Sequence, residues 1–210
     1  MDTTLLHDRD YTFIIARTAV DDLGKPPGFA ERWLVAQEAV LALAQICEEH
    51  DPDGITLYVA CLSEETCNFK KHDQVTSAKL APLIQGSYPP QRIGLKAVLE
   101  LALNDYLRRK TAGTTKANGE IILVVLDGEP SDRMAVAKVI RDTTHQLDSD
   151  KELGIGFVQI GEDILARGFL SALDNHLKEV GAKFDIVDTQ LLDAIELNSL
   201  TDFLLGTLYD

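Results

Sequence analysis

Chemistry on an α/β scaffold is commonly carried by short motifs. The chain has no GxSxG nucleophile elbow, HExxH zinc helix, Walker phosphate loop or GxGxxG dinucleotide turn. The remaining reactive residues are dispersed. His7, His50, His72, His145 and His176 form no recognisable pair and read as surface residues near helix ends or loops. Cys47, Cys61 and Cys67 lack CxxC spacing, so they read as free packing residues rather than a zinc or redox centre. A reactive thiol at Cys61 or Cys67 would need a nearby cation, whereas Glu64 and Glu65 between them are acidic. Lys70-Lys71, Arg92 and Arg108-Arg109-Lys110 are the few basic clusters, and solvated helix faces account for them. Asp127-Gly128 directly follows the apolar run Ile121 to Leu126. Such a pair makes a turn, with Asp accepting backbone N–H bonds and Gly allowing positive φ.

The charge of −14 narrows the partners, because an acidic surface repels phosphate backbones and anionic headgroups. Nucleic acid and membrane are therefore not expected, and another protein is. No apolar run reaches the roughly 20 residues of a membrane helix, and Met1 to Asp10 lacks the character of a signal peptide. With the sparse, odd cysteine set, this predicts a cytoplasmic protein. Length and hydrophobic content predict a single domain over residues 1–210.

Those residues must be positioned by an alternation of strands and helices. Tyr11 to Ala16, Ile55 to Leu62, Glu120 to Leu126, Gly154 to Ile160 and Phe184 to Val187 are apolar runs that read as strands, with a short edge strand over 66–71. Helical spacing is found over Trp33 to Glu49, 73–84, Arg92 to Lys110, a segment capped by Ser131 or Asp132, and Asp163 to Glu179, with further helical segments after Thr189. Parallel strands need such helical crossovers. The predicted class is therefore a doubly wound, three-layer α/β fold, with a mostly parallel sheet of about six strands flanked by helices. Ligands of such sheets bind beyond the strands' carboxyl ends where strand order reverses, which directs attention to the segments after Ala16 and after Leu126.

Asp8 to Val20 (DRDYTFIIARTAV), Ile122 to Arg133 (ILVVLDGEPSDR), Gly154 to Gly161 (GIGFVQIG) and Gly181 to Asp188 (GAKFDIVD) together resemble bacterial von Willebrand factor type A domains over nearly the whole chain. The resemblance implies a metal-ion-dependent adhesion site in which a first-loop Asp-x-Ser-x-Ser, a middle-loop Thr and a late-turn Asp hold Mg²⁺ or another divalent cation. Oxygen donors from separate loops suit such a hard ion and leave one position for a partner's carboxylate. In this sequence the corresponding positions are Ala16, Thr18, Val20, Ile93 and Asp127. Three apolar residues stand where donors belong, so Thr18 and Asp127 alone remain as candidate metal ligands, and no bound cofactor is expected. An alternative rebuilds a Mg²⁺, Mn²⁺ or Ca²⁺ site from Thr18, Asp127 and Asp21 or Asp22. The expected binding residues are Arg17, Thr18, Val20, Asp21, Ile93 and Asp127, within an apolar rim that adds Leu23, Pro26, Pro27 and Phe29. The resulting expectation is a non-catalytic protein-interaction or scaffold module, with no catalytic residues.

Overall fold

The computed structural model describes residues 2–16, 29–60, 69–86, 94–192 and 199–209. After a 3-10 turn over Thr3–Leu6, the elements run β1 Asp10–Ala16, α1 Phe29–His50, β2 Ile55–Ala60, β3 Phe69–Val75, α2 Ser77–Gly86 and α3 Leu95–Ala112. They continue with β4 Glu120–Leu126, α4 Arg133–Thr144, β5 Leu153–Gln159, α5 Ile164–His176, β6 Val187–Leu191 and α6 Leu200–Gly206. One six-stranded sheet has the order β3-β2-β1-β4-β5-β6. Only β3 is antiparallel to its neighbour, so the sheet is mostly parallel as the alternation requires.

Every residue of β4 and β5 is buried, which is why these strands are continuous apolar runs without polar alternation. Their two faces feed two cores. Phe13, Ile15, Leu123 and Val125 pack with α1, α2 and α6, including Trp33, Leu43, Leu80 and Phe203. Ile14, Ile122, Val124 and Phe157 pack on the other face with Leu99 and Leu103 of α3, Ile140 of α4 and Leu170 of α5. Gly154 and Gly156 let α6 lie directly on β5. A Cβ at Gly154 would meet the Thr207 carbonyl oxygen at 2.6 Å, and one at Gly156 would meet Leu123 at 2.8 Å and Phe203 at 3.0 Å.

Two sequence expectations shift. The last strand is Val187–Leu191 instead of Phe184 to Val187. Before it, the chain is still tied to the helical layer: Ala182 N donates to Leu177 O at 3.2 Å and Lys183 N to Thr144 Oγ1 at 2.9 Å, and the sheet is reached only where Ile155 N donates to Ile186 O at 2.7 Å. Among the described residues α6, Leu200–Gly206, is helical after Thr189 as expected. The edge strand runs through Val75, which is buried opposite Ile55, so α2 starts at Ser77, whose N–H donates to Glu48 at 3.0 Å.

Arg108 is exposed on a helix as expected and Arg92 lies outside the described residues, but other members of the basic clusters are placed differently. Lys71 lies on β3, and Arg109 of α3 joins Asp10, Asp105 and Glu120. Glu120 is buried and also accepts from Thr12 Oγ1 at 2.5 Å; burial pushes its carboxyl up, while Arg109 and Thr12 pull it back. Arg9 is buried too, donating to the carbonyls of Leu5 at 2.8 Å, Lys151 at 2.8 Å and Glu120 at 3.3 Å. These bonds fasten the amino ends of the central strands. His7 and His50, unpaired by sequence spacing, meet edge to face with ring centroids 4.6 Å apart. Cys47 is buried and free, as expected, while Cys61 and Cys67 lie outside the described residues.

Candidate functional site

Strand order reverses between β1 and β4: the chain builds β2 and β3 to one side of β1, then β4, β5 and β6 to the other. The crevice at the carboxyl ends of β1 and β4 is therefore the switch point. In the parallel register Ala16 pairs with Leu126, so Asp127 is the first residue beyond the paired ends. Ala16 is wholly buried in the same apolar cluster as Leu126 and Leu95. At this position the chain offers a packed methyl group and no oxygen donor. Asp127 is half-buried, and Gly128 behind it is buried.

The turn that carries Asp127 supplies a second carboxylate, Asp132. The sequence assigned Ser131 or Asp132 to capping α4, but neither the backbone of α4 nor its first turn takes that bond. Asp132 occupies the cap position without a side-chain cap bond and reaches across to α3, where its Oδ2 accepts from Lys96 N at 3.0 Å. α3 needs this, because its own cap residue Gly94 has no side chain with which to satisfy the first-turn N–H groups. The other oxygen, Oδ1, is buried without a hydrogen bond from the described residues. Sequence reasoning missed this role, since the two residues are far apart in the chain and only helix packing joins them.

Of the expected binding residues, Asp127 is the described one; Arg17, Thr18, Val20, Asp21 and Ile93 lie outside the described residues, as do Asp22, Leu23, Pro26 and Pro27. The structure adds other groups at the same edge. Gln159, buried at the end of β5, donates through Nε2 to Asp163 O at 2.9 Å and Gly161 O at 3.3 Å, shaping the turn into α5. Asp163 then caps α5, accepting from Leu165 N at 2.8 Å and Ala166 N at 3.1 Å. Beside these polar groups Met134, Ile164 and Leu165 point into solvent.

The described residues also line two cavities that do not include Asp127. One, of about 20 Å³ and lined by Ile15, Trp33, Val40 and Ile84, has room for roughly one water. The other, about 270 Å³, opens at the sheet's amino edge beside Lys71, Arg108 and Arg109. Its cations already face carboxylates: Lys71 with Asp73 at 2.9 Å, Arg108 with Asp105, and Arg109 with Asp10 at 2.5 Å. That leaves little positive charge for an anionic ligand. Nearby, burial and then the bond to Asp53 push Asp51 up to about 6, against the pull of Lys116.

The strand order, the antiparallel β3 edge and the helices on both faces define a three-layer α/β fold of the von Willebrand factor A type. Solved structures agree with that architecture. The pilus adhesin SpaC from Lactobacillus rhamnosus GG superposes with a TM-score of 0.52 over 95% of this chain, at 7% identity. The manganese-loaded TRAP protein of Plasmodium vivax gives 0.50 over 96% of this chain and 74% of its own, at 9% identity. The chain spans only 30% of the length of the pilus adhesin. No sequence-family model matches the chain, and no characterised protein matches it in sequence.

Proposed function

We propose that this chain is a non-catalytic protein-interaction module that docks a partner protein at the sheet's carboxyl edge without an obligatory metal, in a reducing, cytoplasmic setting. One observation carries the reading. Where the family resemblance expects the first-loop aspartate, Ala16 is a buried methyl group paired with Leu126, so that position contributes no carboxylate oxygen to the edge. Mg²⁺ requires several converging oxygen ligands, and the described part of this edge, Asp127 and Asp132, does not fit the family's donor set. The edge itself supports binding: it is the switch point of the sheet, and exposed apolar side chains flank it. The buried, free thiol of Cys47 supports a reducing compartment.

A second reading, metal-dependent ligand binding through Thr18, Asp127 and Asp21 or Asp22, is favoured by the buried Asp132 Oδ1 on the same turn, which lacks a hydrogen bond from the described residues. Calorimetric titration with Mg²⁺, Mn²⁺ and Ca²⁺ separates the two. The first reading expects no binding tighter than about 1 mM, and partner complexes that survive chelator. Saturable binding that disappears in Asp127→Ala, with chelator-sensitive complexes, establishes the second instead.

A further inference from the structure

We infer that the first turns of α4 and α5 form a docking surface for a protein segment that carries lysine or arginine beside its apolar side chains. This inference rests on the interaction-module reading and specifies the partner's chemistry. Met134, Ile164 and Leu165 are exposed by 75%, 79% and 67%. Folding does not use them: α4 enters the core through Val136 and Ile140, and α5 through Ala166, Leu170 and Leu173. Large apolar residues so placed leave transfer free energy ungained until a partner covers them.

The two turns follow adjacent strands at the same edge of the sheet. β4 and β5 are adjacent parallel strands, both helices pack into the same core cluster, and Ile160 N donates to Leu126 O at 2.8 Å where the strands end. The bound segment would span both turns and so cover all three side chains. The platform is preorganised, since Asp163 caps α5 through two backbone N–H groups and Gln159 fixes the turn before it. A rigid platform avoids ordering costs on binding.

Charge selects the occupant. Residues 127–133 and 161–167 contain Asp127, Glu129, Asp132, Glu162 and Asp163 against Arg133 and Arg167 alone. Arg133 is already paired with Glu129 at 2.5 Å. A basic segment complements this acidic rim, whereas a second copy of the chain or an anionic membrane meets like charge.

The test uses the full chain and three labelled helical peptides of one length: leucine–lysine, leucine–glutamate and serine–lysine. At low ionic strength the leucine–lysine peptide is expected to bind at least about 10-fold tighter than either other peptide, with the preference over leucine–glutamate shrinking in salt. The double variant Ile164→Ser/Leu165→Ser should weaken that binding about 10-fold, while Val180→Ser, beyond the far end of α5, should not. Hydrogen-exchange protection should fall on residues 127–135 and 161–168. Equal affinity for the acidic peptide, unchanged binding by the double variant, or protection elsewhere overturns this surface while leaving the module reading standing. Self-association or binding to phosphatidylserine vesicles that the double variant abolishes overturns the assigned occupant. If no peptide binds and no protein crosslinks to the chain in its native cell, the module reading falls as well.

Discussion

Removing the Asp132 carboxylate should loosen the start of α3, a helix that no residue of its own sequence caps. The lost bond from Lys96 N resembles an N-cap deletion, which costs about 0.5–2 kcal/mol. Truncation also removes Oδ1, buried without a hydrogen bond from the described residues, and this desolvation gain offsets part of the loss. The net expectation for Asp132→Ala is a destabilisation of about 1 kcal/mol, or roughly 2–4 °C in Tm for a chain of this size. Asp132→Asn keeps an acceptor for Lys96 N but surrenders the interaction of a full negative charge with the helix dipole, a smaller loss of about 0.3–1 kcal/mol. Urea unfolding at neutral pH gives both values, and hydrogen exchange should show faster opening of the Lys96 amide than of amides in β4. Unchanged stability in Asp132→Ala, or Asn as damaging as Ala, would refute the cross-helix capping argument.

Two further outcomes follow from the packing and the charges. Gly154→Ala places a Cβ at 2.6 Å from the Thr207 carbonyl oxygen, so α6 must move; unfolding midpoints should fall by the equivalent of about 1–3 kcal/mol. Asp51, held up to about 6 by burial and Asp53, binds its proton more tightly folded than unfolded. Its contribution therefore becomes less favourable as pH rises from the ordinary carboxylate range to about 6. Asp51→Asn should accordingly gain stability relative to wild type between pH 4 and pH 6 and level off above, and urea titrations at four pH values that show a flat or opposite trend would contradict this.

Much of the fold was legible because buried parallel strands impose a composition. Ile121 to Leu126 could only be a strand covered on both faces, and β4 begins and ends within one residue of that run. The misplacement of the last strand has a physical cause: Phe184 looks like a strand residue, yet Thr144 of α4 holds Lys183 and delays entry to the sheet until Ile186. The setting of Arg109 was misread for a similar reason. Arg109 sits on an exposed-looking helical stretch, and only packing brings Asp10 and Glu120 against it.

At the candidate site the division is the same. The sequence by itself determined that Ala16 supplies no donor, that Asp127 follows an apolar run, and that the chain carries a net charge of −14. The tertiary structure decided that Ala16 and Asp127 meet at the switch point, that Asp132 caps a helix far away in sequence, and that Met134, Ile164 and Leu165 remain uncovered beside them. Local pattern fixes which face of an element is apolar. Which elements then cover that face depends on long-range packing, and so does every residue left exposed for a partner.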